Sequence, residues 1–390
     1  MNFEQMVRFA VANGASDIHM ASNNVPAYRV NGVVTYFEGK PPLDDATVKS
    51  YIQQVLPKKG MAKFEETGDY DCSYFLENCA RFRVNTFKQR HGSTLVMRII
   101  NEHPPEMASL NLPESLGKIL MIQEGLVLVT GPTGSGKSTT LAAIINELNK
   151  SKNLHIVTLE DPVEYMHVPN RCLINQREIG NDSEDYASAL RAVLREDPDI
   201  ILMGEIRDLE SMEIALRAAE TGHLVFSTLH TEGAAKTIDR LIDMYPVERQ
   251  KQALSQLSTT LKAVISQRLL PRCDVRGRIG MFEIMFVNSA IANLIRENKI
   301  PQIEQTIELN QGAGMITRKM SIDNLYAMGF ITKETAEEYS YDVGRNTLFE
   351  DKSIPGAQQP GMPGGGLPAT ARGYNNSGMG GTAAYLKNRR

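Results

Sequence analysis

The run Gly131-Pro132-Thr133-Gly134-Ser135-Gly136-Lys137-Ser138-Thr139 limits the chemistry of this sequence more narrowly than any other segment. It fits the spacing G-x-x-x-x-G-K-[ST], with an apolar strand candidate before it and a helix candidate, Leu141–Asn149, after it. Glycines let consecutive backbone N–H groups turn inward around phosphate oxygens, and a helix N-terminus adds partial positive charge. Lys137 is then expected at the outer phosphates of ATP, and the Ser138 hydroxyl at Mg2+.

Carboxylates follow at the ends of other apolar runs. Asp199–Met203 leads through Gly204 to Glu205, in the place where phosphate sites of this kind carry an acid, so Glu205 is expected at the metal, through water. Glu160, Asp161 and Glu164 crowd three carboxylates into five positions after a further run. Such crowding is unfavourable unless cations or water separate the charges. Glu164 is expected to orient or deprotonate the attacking water, with Glu160 in support. A third run, Leu224–Leu229, lies between His223 and His230. Without an HExxH pattern these imidazoles are not read as metal ligands; hydrogen bonding to phosphate or water is expected for His230, while for His223, at the other end of the run, a phosphate contact and a structural role stand as equal alternatives.

Near the N-terminus, Arg81, Arg83 and Asn85 alternate with Phe82 and Val84 and so share one face of a strand. With a turn centred near residues 90–91, Arg98 on the next strand falls opposite Arg83. Facing guanidinium groups repel in isolation and fit around a polyphosphate, so Arg81, Arg83 and Arg98 are expected to act as arginine fingers.

The elements that must hold these residues divide the chain. Residues 1–103 read as a small α+β domain: a helical stripe of Phe3, Met6, Val7 and Ala10, a hairpin over Ala27–Phe37 turning at Asn31-Gly32, a helix over Ala46–Leu56, and strands at Arg81–Phe87 and Thr94–Ile100. His103-Pro104-Pro105-Glu106 breaks regular structure, and 104–114 is expected to be a linker. Over 115–348, apolar runs at Leu126–Thr130, Leu154–Glu160, Asp199–Met203 and Leu224–Leu229 alternate with helical stretches, which predicts an α/β domain on a parallel sheet. From about Ile238 to Tyr341 the pattern reads as helical. Residues 349–390, rich in Gly and Pro, are expected to be a disordered tail.

Composition excludes some alternatives. The 390 residues carry a formal charge of −4 and no Trp. This balance does not favour a nucleic-acid-tracking groove, so no nucleic-acid partner is expected. Four cysteines without a CxxC pair read as free thiols of a reducing compartment. No apolar run approaches the ~20 residues of a membrane span, so any membrane association is expected through partners.

Together, Gly131–Thr140, Glu160–Tyr165, Arg195–Asp208 and Gly222–Thr231 resemble the Walker A, Asp box, Walker B and His box of the type IV pilus retraction (twitching motility, PilT-like) ATPases of the type II/IV secretion superfamily. Gly14–His19 and Arg81–Phe87 resemble that family's N-terminal domain. The resemblance implies a PAS-like N-terminal domain, a RecA-like ATPase core with a helical C-terminal part, and a homohexamer with ATP between the two domains, the N-terminal arginines completing the site. It implies a cytoplasmic motor, peripheral at the inner face of the cytoplasmic membrane, with the pilus platform protein as partner and a paralogous retraction ATPase as a further one. The extra N-terminal domain and tetracysteine zinc module usual in extension and type II secretion ATPases are not seen; Cys273 stands alone. Ala290–Glu297 resembles the retraction family's Ala-Ile-Arg-Asn-Leu-Ile-Arg-Glu segment, with Ala292 replacing its first arginine, which leaves an accessory or extension motor as the alternative.

Overall fold

The computed structural model describes residues 1–100 and 103–340; the tail expected at 349–390 lies outside them. The chain opens with α1 (Phe3–Ala12). Asn2 caps it: its side chain accepts the Gln5 N–H, and the Gln5 side chain accepts the Asn2 N–H in return. The expected stripe of Phe3, Met6, Val7 and Ala10 is buried, worth about 1.5–3 kcal/mol for each larger side chain covered. Then follow β1 (Asp17–Ala21), β2 (Ala27–Val30), β3 (Val33–Tyr36), α2 (Asp45–Val55), α3 (Lys58–Thr67), β4 (Asp69–Leu76), β5 (Ala80–Gln89) and β6 (Gly92–Ile100).

The six strands form an antiparallel sheet in the order β3-β2-β1-β6-β5-β4. Asn31 and Gly32 turn the β2–β3 hairpin with φ of 51° and 85°, the left-handed pair that a type I′ turn needs. Strand alternation gives the sheet two faces. Ile18, Met20, Phe82, Val84, Leu95 and Met97 pack with the helices into one core. Asp17, Arg29, Arg81, Arg83 and Arg98 occupy the opposite face.

Two 3-10 turns, Met107–Leu110 and Glu114–Met121, lead into the second domain, the first of them within the stretch expected to be linker. Its elements are β7 (Gly125–Thr130), α4 (Lys137–Ser151), β8 (His155–Glu160), β9 (Leu173–Glu178), α5 (Tyr186–Val193), β10 (Ile200–Met203), α6 (Leu209–Glu220), β11 (Leu224–Leu229), α7 (Ala234–Asp243), α8 (Val247–Thr260), β12 (Leu261–Pro271) and β13 (Arg278–Phe286). The sheet order is β13-β12-β7-β11-β10-β8-β9, parallel except for β12–β13. Along β7, Leu126 and Leu128 enter one core and Val127 and Val129 another. Burial on both faces is why these strands read as unbroken apolar runs. Helices α9 (Ser289–Arg296), α10 (Ile303–Leu309), α11 (Arg318–Ala327) and α12 (Lys333–Ser340) complete the described chain.

The wholly helical reading beyond Ile238 is corrected by β12 and β13. A short apolar run such as Leu261–Leu270 is compatible with either a buried helix or a buried strand, and pairing with β7 decides it. No helix among the described residues is long and apolar enough to cross a membrane.

Candidate functional site

The glycine-rich loop leaves the C-terminal end of β7 and enters α4 at Lys137. Gly131 has φ 140°, and a Cβ there would lie closer than 3.0 Å to the Gln267 carbonyl oxygen on β12. At Gly136, φ is 90° and a Cβ would meet Gln267 Nε2 at 2.9 Å. Gln267 Oε1 accepts the Thr140 hydroxyl at 2.7 Å. Gln267 therefore clasps the loop and the first turn of α4 together. Sequence reading missed it because β12 itself was unseen.

The Lys137 amine is buried and donates to the carbonyls of Gly131 (2.7 Å) and Pro132 (3.1 Å). Burial lowers its pKa, and the charges of Glu205 and Glu164 oppose that shift. Thr133, Gly134 and Ser138 are exposed at the crown of the loop. Ser135 Oγ is buried with no hydrogen-bond partner, an orphan that an incoming oxygen can satisfy. The Thr139 hydroxyl meets Tyr165 Oη at 3.0 Å.

Parallel registry brings the ends of β8, β10 and β11 to the edge where the loop begins: Val157 pairs with Ile201, Leu202 with Phe226 and Phe226 with Val127. Glu160, Glu205 and His230 thus share one sheet edge with Lys137. Burial pushes the Glu160 carboxyl up, against donation from Thr158 Oγ1 (2.7 Å) and Gln176 Nε2 (3.1 Å). Glu164, four residues on, is exposed. This division suits a supporting role for Glu160 and a solvent-facing role for Glu164.

Glu205 is paired on both oxygens: Arg207 Nε donates to Oε1, and His230 Nε2 lies 3.0 Å from Oε2. Partial burial raises its pKa, but Arg207 and His230 outweigh that and hold it below the usual carboxylate value. Arg207 also donates to Asp161 at 3.2 Å and lies over the Tyr186 ring. It links the Walker B and Asp box segments. The sequence reading assigned it no role; its signal was position, two residues beyond Glu205.

His223 requires correction. It precedes β11, whose first residue pairs with Gly125 at the far end of the sheet, and its Nδ1 lies 3.0 Å from the Ala218 carbonyl. Within one chain it closes the end of α6 and is not brought to the glycine-rich loop.

The arginines are partly as expected. Arg83 and Arg98 do face each other across β5 and β6. Asp17 lies beside this pair: Arg98 Nε donates to its carboxylate at 2.9 Å, and Arg29 lies 3.9 Å away. Arg83 is exposed. Arg81 turns to the other domain, 3.7 Å from Glu178 and 3.2 Å from Met166 Sδ. Among the described residues, no hydrogen bond or ion pair joins these three arginines to residues 131–139. Nor is any group of three or more His, Cys, Asp or Glu side chains placed to hold a metal.

Residues 2–334 match the family model described as type II/IV secretion system protein. A Pseudomonas aeruginosa protein, the type IV pilus retraction ATPase PilT, is 45% identical over 338 residues, covering 87% of this chain and 98% of its own length. A twitching motility protein of Neisseria gonorrhoeae is 45% identical, covering 80% of this chain and 83% of its own. Among solved structures, the pilus retraction motor PilT with bound ADP superposes with a TM-score of 0.83 at 42% identity, covering 88% of this chain and 98% of that one.

Proposed function

The chain belongs to the type II/IV secretion system protein family, and we propose that within it this protein is a magnesium-dependent ATPase motor that retracts a type IV pilus. The observation that carries this reading is the convergence of Lys137, Glu164, Glu205 and His230 at one sheet edge, in a chain that matches a retraction ATPase along 98% of that relative's length.

Binding begins with an exchange. Lys137 gives up the Gly131 and Pro132 carbonyls for phosphate oxygens, and N–H groups of the loop and of the first turn of α4 take up the rest. The buried Ser135 hydroxyl gains a partner. Magnesium, which keeps several of its waters, needs only one or two protein ligands; Ser138 and, through water, Glu205 are the residues that fit. When bound, the ion neutralises charge developing on the transferred phosphoryl group. Glu164 orients the attacking water. Glu160, held by Thr158 and Gln176, shapes the turn beneath it. His230 reports on the outer phosphate through Glu205. Arg83 and Arg98 supply positive charge from the small domain, a contribution that assembly into a homohexameric ring would complete. The ring would act at the cytoplasmic face of the membrane by docking on the pilus platform protein.

Ala292 favours a second reading. It is half-buried on α9, where the retraction pattern has arginine, so no guanidinium stands at this position, and an accessory or extension motor of the same family is the second reading. Complementation of a retraction-deficient strain tests both. The retraction reading expects this protein to restore twitching and lower surface piliation, and the Lys137→Ala variant to do neither. Unchanged piliation with active ATPase would favour the accessory reading.

A further inference from the structure

The Asp box turn is held from below by a strand that no phosphate motif includes. On β9, Gln176 donates to Glu160 Oε1 (3.1 Å) and to the Tyr165 carbonyl (2.8 Å), and accepts the His167 N–H (2.8 Å). Two residues on, and so on the same face, Glu178 accepts the Val163 N–H at 3.2 Å. Gln176 and Glu178 thus grip the segment from Glu160 to His167 at four points, with Glu164 between them. Glu178 is 3% exposed, and a second donor, Asn181 Nδ2, reaches its other oxygen.

The small domain reaches the same platform through one side chain. Arg81, on β5, lies 3.7 Å from Glu178 Oε2, the oxygen that holds Val163. Its Nη1 donates to Met166 Sδ at 3.2 Å, within the gripped segment, while Nη2 stays tied to Ser73 of the small domain at 3.1 Å. A buried carboxylate left without its cation is costly, so a movement of the small domain that withdraws Arg81 disturbs the carboxylate that anchors the turn.

We propose that Arg81 and Glu178 are positioning residues forming a latch through which the small domain sets the height of the Asp box turn, and with it the water-orienting Glu164. Arg81 is then not a finger on the nucleotide. Its route to the chemistry is Arg81 to Glu178 to the Val163 amide to Glu164. The latch rests on the reading of Glu164 given above.

A double-mutant cycle on the full-length protein tests it, with kcat and KM for ATP measured for Arg81→Ala, Glu178→Gln and the pair. Gln at 178 keeps one acceptor oxygen for the Val163 N–H and removes the charge, while its NH2 group replaces the oxygen that accepts from Asn181 Nδ2. Each single variant should lower kcat by about tenfold, and the double variant should be no slower than the slower single one, because both remove one interaction. KM should stay within about twofold, and Arg81→Lys, which keeps the charge, should recover part of the loss. Losses that multiply, a raised KM at parental kcat, or parental turnover in Arg81→Ala would each overturn the latch. The last also decides the matter should Glu178→Gln melt early. Glu164→Gln is run beside them: full turnover in that variant would remove the reading beneath the latch, whereas its inactivity together with multiplying losses would remove the latch alone.

Discussion

Replacing Gly131 by alanine tests the central geometric claim, that the glycine-rich loop is pressed against β12. Two penalties apply at this position. Its φ of 140° is one that L side chains rarely adopt, and the added methyl group would overlap the Gln267 carbonyl and stand 2.8 Å from Ser135 Oγ. Backbone strain of this kind costs roughly 1–3 kcal/mol, and overpacking a dense interior costs about the same again. The carbonyl has little freedom to swing aside, because Gln267 pairs with Phe282 of β13 and Ser266 before it pairs with Thr130 of β7. About 3 kcal/mol is therefore a conservative loss, and at ~2–4 °C per kcal/mol for a domain of this size the melting temperature should fall by about 6–12 °C.

Gly134→Ala is the matched control within the same loop. Its φ is 78°, but nothing lies within 4 Å of the added carbon. Left-handed strain of about 1–2 kcal/mol, partly offset by a stiffer unfolded chain, leaves a net loss near 1 kcal/mol. Melting without nucleotide, at matched protein concentration, should separate the two variants by at least 4–8 °C on that scale. Equal melting temperatures would refute the close approach of Gly131 to β12, whatever either variant does to ATP turnover.

Three further outcomes follow from the site. Gln267→Ala strands the buried Thr140 hydroxyl and loosens the loop, so it should cost about 1–3 kcal/mol in thermal unfolding and raise KM for ATP. Arg207→Ala should make the protein more acid-labile. Glu205 is held below its unfolded pKa, so its contribution is present above the unfolded value and disappears as pH falls through the folded one. Without Arg207 the folded value rises, and acid unfolding should begin at higher pH in a circular-dichroism titration. Arg83→Ala should slow ATP turnover yet raise the melting temperature of the ligand-free chain, because it removes a guanidinium facing Arg98; a lowered melting temperature would contradict the charge argument.

What the sequence disclosed follows the range of the interactions involved. The Asn31-Gly32 turn, the stripe on α1 and the glycine-rich loop are local, each specified within about a dozen residues, and each stands where expected. Glu160, Glu205 and His230 could be brought together in advance because a parallel sheet gathers its strand ends along one edge. What could not be read depends on contacts between distant segments. Gln267 sits on a strand whose apolar run has no helix-or-strand signature, and its value to the site arises from lying beside β7. Gln176 and Glu178 match no phosphate motif, and they form a platform only because β9 pairs with β8. For His223 the structural alternative is the one the fold favours: two histidines that bracket a strand lie at opposite ends of it, so within one chain only one shares an edge with the glycine-rich loop.

The small-domain sheet bears on the same question through its charges. Across β2, β1, β6 and β5 the registry aligns Arg29, Asp17, Arg98 and Arg83 in one row. A single carboxylate thus stands among three guanidinium groups, bonding Arg98 and approaching Arg29, its two neighbours in the row. Among the described residues no carboxylate pairs with Arg83. Packing did not require this row, since the hydrophobic core of the domain lies on the opposite face of the sheet. A face that concentrates like charge at a cost to its own stability is an argument for an anion as its partner. Among the described residues no hydrogen bond or ion pair joins Arg83 or Arg98 to the phosphate loop, so the contribution proposed for them needs the two domains, or a neighbouring copy in the proposed ring, to bring these charges to the nucleotide.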